Sequence, residues 1–263
     1  MAGLAASSLY HYTSFEALQG ILNTRGFWPQ LAMEEMPVLG PSTVLAVPMV
    51  CFCDIRLTQV GDHIKHYQPY AIGLTKYWAK RASINPVMYL EHGSQASNTI
   101  ASTIGLHWKK YDSSAKALKL DDLSRETLKE SLKFLCFCKR STGRRWNKIA
   151  KEFDPDRIIR FYDEREWRFV SSKDLHSQGA VIPLNYHVAV PGRPFDWDGI
   201  DRWNEELRQN PLSFTGVDIS HIVVRDESEV QELIDTVKWT ALFNSEQQFV
   251  RRIRVYSEIE EDY

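Results

Sequence analysis

Apolar and polar residues alternate from Leu9 to Thr13, the two-residue period of a strand, and then give way to the three-and-four spacing of Leu18, Ile21 and Leu22. Ser14 stands where a helix N-cap is needed, so the spacing predicts a helix from Phe15 to about Thr24, with Gly26 just past its end as the stop. The next strand is expected over Val47 to Ile55, followed by a short helix around Val60 to Tyr67 and a strand from Tyr70 to Leu74. A helix containing Lys76 to Arg81 precedes a strand-like Pro86 to Leu90. Helical patterns cover about Ser94 to Lys110 and Leu120 to Glu130, and Leu132 to Lys139 returns to strand. Further strands are predicted at Ala180 to Leu184, Val217 to Val224 and Ile253 to Tyr256, with a helix from Glu227 to Thr240.

Three stretches break the pattern. Pro29, Pro37, Pro41 and Pro48 make residues 28–48 a long irregular excursion. Ser141 to Lys151 reads as a polar, basic connection, and Pro191 to about Trp203 as a loop rich in Pro, Gly and Trp. No Gly-, Ser- or Pro-rich linker divides the chain. Strands interleaved with helices in this order predict an α+β fold, a single domain over residues 1–263 with a mixed, largely antiparallel sheet flanked by helices. The strand, helix and strand of residues 180–263 complete it.

A chain of 263 residues, 43% of them hydrophobic, can bury a sizeable core. Lys+Arg 32 against Asp+Glu 34 excludes a global basic field, so a nucleic-acid partner needs a local patch. No run of about 18 apolar residues is present and the N-terminus lacks the pattern of a signal peptide, so the expectation is a cytoplasmic protein that does not engage a membrane. The four cysteines form two Cys-Phe-Cys triplets, Cys51 to Cys53 and Cys136 to Cys138. Structural zinc sites use wider spacing flanked by turns, so reduced, packed thiols are expected and no metal. GxGxxG, GxxxxGK[ST] and HExxH are all absent, which leaves Rossmann, P-loop and zincin chemistry unsupported.

Candidate chemistry concentrates in Tyr162 to Val170. Read as a strand, it puts Tyr162, Glu164, Glu166, Arg168 and Val170 on one face and Arg165, Trp167 and Phe169 on the other. Two carboxylates at i and i+2 repel, and such pairs either serve in chemistry or are matched by cations. Just upstream, Lys139, Arg140, Arg144, Arg145 and Lys148 surround Trp146, the makings of a cationic groove with a stacking indole for single-stranded nucleic acid or of a solvated basic loop.

The opening Leu9-Tyr10-His11-Tyr12-Thr13-Ser14, with the helix behind it, resembles the start of ADP-ribosyltransferase-like proteins, including DarT-type toxins. Pro48 to Ile55, then His63 to Lys76, then Tyr162 to Val170 resemble AbiGi-like abortive-infection proteins of bacterial phage defence, and the likeness spans most of residues 9–170. The resemblance implies a sheet core of ADP-ribosyltransferase type and a toxin that consumes NAD, transfers ADP-ribose to RNA or another macromolecule, and is held in check by a cognate antitoxin. Residue by residue it implies a His-Tyr-Glu site. His11, with Tyr12 and Thr13 beside it, would hold NAD, and Tyr67 or Tyr70 would stack on nicotinamide. Glu166 would stabilise the oxocarbenium-like centre as the glycosidic bond breaks, and Glu164 would orient or deprotonate the acceptor. Lys139, Arg144, Arg145, Trp146 and Arg168 would contact substrate, with Lys139 alternatively on the NAD pyrophosphate and Arg168 also keeping both acids ionised.

The sequence departs from the commonest patterns: Cys51-Phe52-Cys53-Asp54 stands where a Ser-Thr-Ser-like strand is expected. AbiGi-like proteins have also been labelled antitoxins. Two other readings therefore stand beside the transferase: a non-enzymatic antitoxin or sensor whose Glu pair belongs to a salt-bridge network, and a metal-dependent nuclease using Glu164, Glu166 and Asp54.

Overall fold

A computed structural model describes residues 6–36, 38, 44–64, 67–113, 122–147, 152–171, 188–189 and 197–261. β1 (Ser8–Thr13) passes into α1 (Phe15–Thr24) through Ser14, whose hydroxyl accepts from the Ala17 amide. The helix ends on Arg25 at φ 56, one residue before the expected glycine, and the Arg25 amide donates to the Ile21 carbonyl. Then come β2 (Gly26–Phe27), β3 (Gln30–Glu35), β4 (Val44–Cys53), α2 (Gly61–Ile64), β5 (Tyr70–Thr75) and α3 (Lys76–Arg81). β6 (Asn85–Pro86), β7 (Met88–Leu90), α4 (Gln95–Ser113), α5 (Asp122–Leu135), β8 (Cys138–Arg140), β9 (Thr142–Asn147) and β10 (Glu152–Arg160) follow. β11 (Glu166–Val170), β12 (Val188–Ala189), α6 (Trp197–Arg208), β13 (Leu212–Ser213) and β14 (Ile219–Val224) lead to the closing set. That set is α7 (Ser228–Thr236), α8 (Glu246–Val250), β15 (Ile253–Val255) and α9 (Tyr256–Glu261). The architecture is mixed α+β.

The main sheet has nine strands, ordered β15-β14-β5-β1-β4-β11-β6, with β3 and β12 also paired to β4. Its pairings are antiparallel except β14 with β15. β4 is its axis: Met49 to Cys53 pair with β11, Cys53 meets Tyr10 of β1, and Val44 to Met49 pair with β3. Directly opposed residues share a face. Cys51, Cys53, Glu166, Arg168, Tyr10 and Glu34 thus fall on one side, and Phe52, Trp167, Phe169, His11 and Leu9 on the other.

The second side carries the largest apolar cluster, in which Leu9, Phe27, Phe52 and Ile72 meet Leu18 and Leu22 of α1 and Trp78 of α3. Each such fully buried side chain contributes about 1.5–3 kcal/mol. The first side carries two smaller clusters. One joins Val47 and Met49 to Ile104 of α4 and Leu132 and Leu135 of α5; the other joins Tyr10, Tyr12 and Cys53 to Val60 and Val223. Among the described residues no helix is long and apolar enough to cross a membrane.

Several elements differ from the sequence expectation. Residues 28–48 are not irregular throughout: Leu31 and Met33 are buried in β3 while Gln30, Ala32 and Glu34 between and beside them are less so, and Pro29 lies just outside the strand. The strand expected over Leu132 to Lys139 is helix up to Leu135, because Leu132 and Leu135 fall on the buried stripe of α5. Only Cys138–Arg140 is extended, paired in parallel with β7. The basic connection after it is a strand, β9, in a hairpin with β10. The loop ending near Trp203 contains the start of α6, whose Ile200 and Leu207 pack on Leu31 and Met33. The expected strand at 180–184 lies outside the described residues, as do His66 and the side chain of His63.

Candidate functional site

The strand read from Tyr162 begins later. Phe161–Glu164 form a 3-10 turn, Arg165 takes the left-handed conformation at φ 45, and β11 starts at Glu166. The Arg165 carbonyl accepts from the Asp54 amide, which ties the turn to the end of β4. Tyr162 is consequently exposed rather than on a shared face. Glu164 and Glu166 converge nonetheless, brought together by the turn instead of by strand alternation.

Between the two smaller apolar clusters, three carboxylates meet three cations. Lys139 Nζ donates to Glu164 Oε2 at 3.1 Å and Glu166 Oε2 at 2.8 Å, with Glu34 Oε1 at 3.9 Å. Arg168, 0% exposed, donates from Nε to Glu166 Oε1 at 2.5 Å and from Nη2 to Glu34 Oε1 at 2.6 Å. Its Nη1 reaches the Cys136 carbonyl at 2.9 Å. Arg145 closes the solvent side, 2.5 Å from Glu164 Oε1, with its guanidinium 4.8 Å from the centre of the Tyr67 ring. Tyr67, 36% exposed, reaches Glu164 Oε1 at 3.5 Å. The Tyr89 hydroxyl accepts from the Glu166 amide at 2.8 Å, and the Phe161 ring lies 4.2 Å from the Lys139 ammonium.

Burial alone would raise the pKa of Glu166, but the charges of Arg168 and Lys139 and their hydrogen bonds outweigh it and hold the carboxyl well below the usual carboxylate range. The same pairing works in reverse on the cations. Burial disfavours the charged Lys139, yet Glu166, Glu34 and Glu164 raise its pKa well above the ordinary lysine value; Glu166 and Glu34 do so for Arg168. Glu166, Lys139 and Arg168 are thereby held in their charged forms, and the cluster sets three carboxylates against three cations. Cys51 and Cys53 lie under it as free thiols. Burial pushes the thiols up, to about 12 for Cys53 and Cys136 and about 11 for Cys138, so they pack rather than react.

The structure brings Glu164, Glu166, Lys139, Arg145, Arg168 and Tyr67 together and separates the rest. His11 projects from the opposite side of the sheet, where Nδ1 meets the Cys51 carbonyl at 2.8 Å and the ring packs edge-on against Phe27. Thr13 and Tyr70 share that side through the β1–β5 register, and the Tyr70 hydroxyl donates to Glu229 at 2.7 Å. Of the two candidate tyrosines, Tyr67 is the one at the acids. Tyr12 is on their side, buried with Cys53 and Val60. Arg144 and Arg140 both pair with Glu35, and Trp146 packs edge-on against Phe153 with ring centres 5.0 Å apart. Those cations are paired and that indole is packed, with the Arg144 side chain still 42% exposed. Lys148 lies outside the described residues. Asp54 accepts from Lys76 at 2.8 Å and from the Ala6 amide at 2.9 Å, apart from the cluster. Glu34 was missed by sequence reasoning because it stands in a segment read as irregular.

Most of the elements that build this site fall within one family of bacterial phage-resistance proteins: residues 35–225 match the model described as "Putative abortive phage resistance protein AbiGi, antitoxin". The chain belongs to the AbiGi family. It is 25% identical over 232 residues to "Abortive phage resistance protein AbiGi" of Lactococcus lactis subsp. cremoris, covering 82% of this chain and 89% of that protein. No solved structure matches the chain.

Proposed function

We propose that this protein is the neutralising member of an abortive-infection pair, an antitoxin that binds and silences a toxin, with the Glu164–Glu166 pair serving the fold. The observation that carries this reading is the closed ion cluster. Each of its carboxylates is within ion-pair distance of a buried or half-buried cation, so none is left to meet positive charge developing on a substrate. The description of the matching family agrees with it.

A second reading is favoured by the convergence of Tyr67 with Glu164 and Glu166. In it the chain is an ADP-ribosyltransferase toxin with a sheet of that type. Movement of Arg145 and Tyr67 admits NAD, Tyr67 stacks on nicotinamide and Glu166 stabilises the oxocarbenium-like centre, while Glu164 orients the acceptor, RNA before protein. His11 lies on the far side of the sheet in this reading and acts through packing and its hydrogen bond to the Cys51 carbonyl.

Incubation with NAD labelled in the adenosine moiety, alongside separate pools of RNA, DNA and protein, separates the two. The antitoxin reading expects no nicotinamide release and no label in any pool. Label in one pool, lost with Glu166→Gln in a protein that still folds, would establish the transferase.

A further inference from the structure

We infer that the sheet margin formed by Tyr10, His221, Arg252 and Arg254 is a binding site for a phosphomonoester dianion. Such a site is independent of the antitoxin reading and stands under either role of the Glu164–Glu166 pair. The register across the sheet builds it. Tyr10 of β1 is opposite Gly73 of β5, and Gly73 is opposite His221 of β14, so the three share one side of the sheet. Gly73 is the gap in that row: a Cβ there would stand 2.7 Å from the Tyr10 ring, and its absence lets Tyr10 reach across β5. The Tyr10 hydroxyl lies 3.1 Å from His221 Nδ1, with the two rings near parallel. On the next strand Arg254 pairs with Val223, and alternation carries Arg252 to the same side as Arg254 and His221.

The donors on this margin lack an acceptor. The hydrogen bond from Ser8 favours the charged form of Tyr10, as a donor's bond does, so the Tyr10 hydroxyl is left to donate to Nδ1. The neutral imidazole then carries its proton on Nε2. Arg254 Nη1 is held by the Ile253 and Arg251 carbonyls at 2.7 and 3.0 Å, which fixes the guanidinium and leaves its other nitrogens to offer. Among the described residues neither Arg252 nor Arg254 has a carboxylate within ion-pair distance, whereas Arg225 is matched by Asp226 and Glu229. The charges that act on His221 are both positive: with burial, Arg254 and Arg252 lower its pKa. Two guanidiniums and one imidazole N–H therefore present two formal charges and donors from three side chains. A phosphomonoester dianion answers with two charges and three terminal oxygens, a carboxylate with one and two. His221 and Arg252 are half-buried and Arg254 is exposed, so an anion reaches them from solvent.

The test titrates the full-length protein with inorganic phosphate or acetate at fixed ionic strength and about pH 8, where phosphate is a dianion. Heat and the imidazole nitrogen signals of His221 are followed together. Phosphate should saturate the protein with a Kd of about 1 mM or below, at least about tenfold tighter than acetate, and should shift the His221 Nε2 signal. Arg252→Gln with Arg254→Gln should weaken phosphate binding by at least about tenfold and keep the melting temperature measured without phosphate, since neither guanidinium is ion-paired. If that variant binds phosphate within about twofold of the parent, or binding leaves the His221 signal unmoved, the anion sits elsewhere and the assignment is overturned. Equal affinity for acetate overturns the choice of a dianion. A 5′-nucleoside monophosphate and an oligoribonucleotide without a terminal phosphate separate the sources of the group. The monophosphate should displace inorganic phosphate and the oligonucleotide should not; displacement by the oligonucleotide alone would overturn the monoester and point to an RNA backbone.

Discussion

Lys139 Nζ lies 2.8 Å from Glu166 Oε2, a contact that joins β8 to β11, strands of different sheets separated by 27 positions in sequence. The contact is the centre of a clamp. Arg168 extends it to Glu34 of β3 and Arg145 to β9, so four strands are held where two apolar clusters leave a seam. Buried ions are poor sources of net stability but are expensive to leave unmatched.

Glu166→Gln should therefore destabilise the protein by about 3 kcal/mol, because Arg168 and Lys139 stay buried with one carboxylate fewer. Urea unfolding followed by tryptophan fluorescence measures it. A loss below about 1 kcal/mol would mean the two cations find other partners or water.

Arg145→Ala is expected to be mild, under about 1 kcal/mol, because this cation is partly exposed and screened. The contrast with Glu166→Gln in the same unfolding assay separates the cluster's buried centre from its rim.

The stability should fall as the medium is acidified. The folded-state pKa of Glu166 is depressed, so its contribution is present above the unfolded value of about 4.3 and is lost as pH drops towards the folded one. His221, 3.1 Å from the Tyr10 hydroxyl, acts with the same sign at higher pH. Burial and Arg254 lower its pKa, so protonation below about 6.5 favours the unfolded chain. Melting temperatures from pH 8 to pH 3 should decline in two stages, and Glu166→Gln should flatten the lower one; a flat profile in the parent contradicts the lowered pKa of Glu166.

Gly216→Ala should be among the most damaging single changes. A Cβ there would stand 1.8 Å from the Leu242 carbonyl oxygen, and backbone cannot step aside as a side chain can. A loss of about 3 kcal/mol is expected, read as a lower melting temperature.

How much of this was legible beforehand depends on where the information lies. β1, the Ser14 cap, α1, β5, α3 and β15 follow from local period and capping, which short windows carry. β3 and β9 do not. Glu34, Glu35, Arg144 and Arg145 look like surface charges until tertiary structure pairs them across elements. Glu164, Glu166, Lys139, Arg145, Arg168 and, beside Tyr70, Tyr67 were recognisable as candidates, whereas Glu34 was not. What decides their role was not. The Tyr10–Cys53 register puts His11 on the opposite side from Glu166, and a shift of one residue would have reversed that. Arg165 at φ 45 likewise breaks the alternation that strand logic assumes.

As an antitoxin the chain would restrain a toxin and have no toxicity of its own. Growth of cells expressing the chain alone, each flanking reading frame alone, and each pair tests it most directly. The chain alone should leave growth unchanged, and one neighbour should arrest growth unless the chain is present. Arrest by the chain alone, relieved by Glu166→Gln at equal protein level, would contradict the account and establish Glu166 as a catalytic acid.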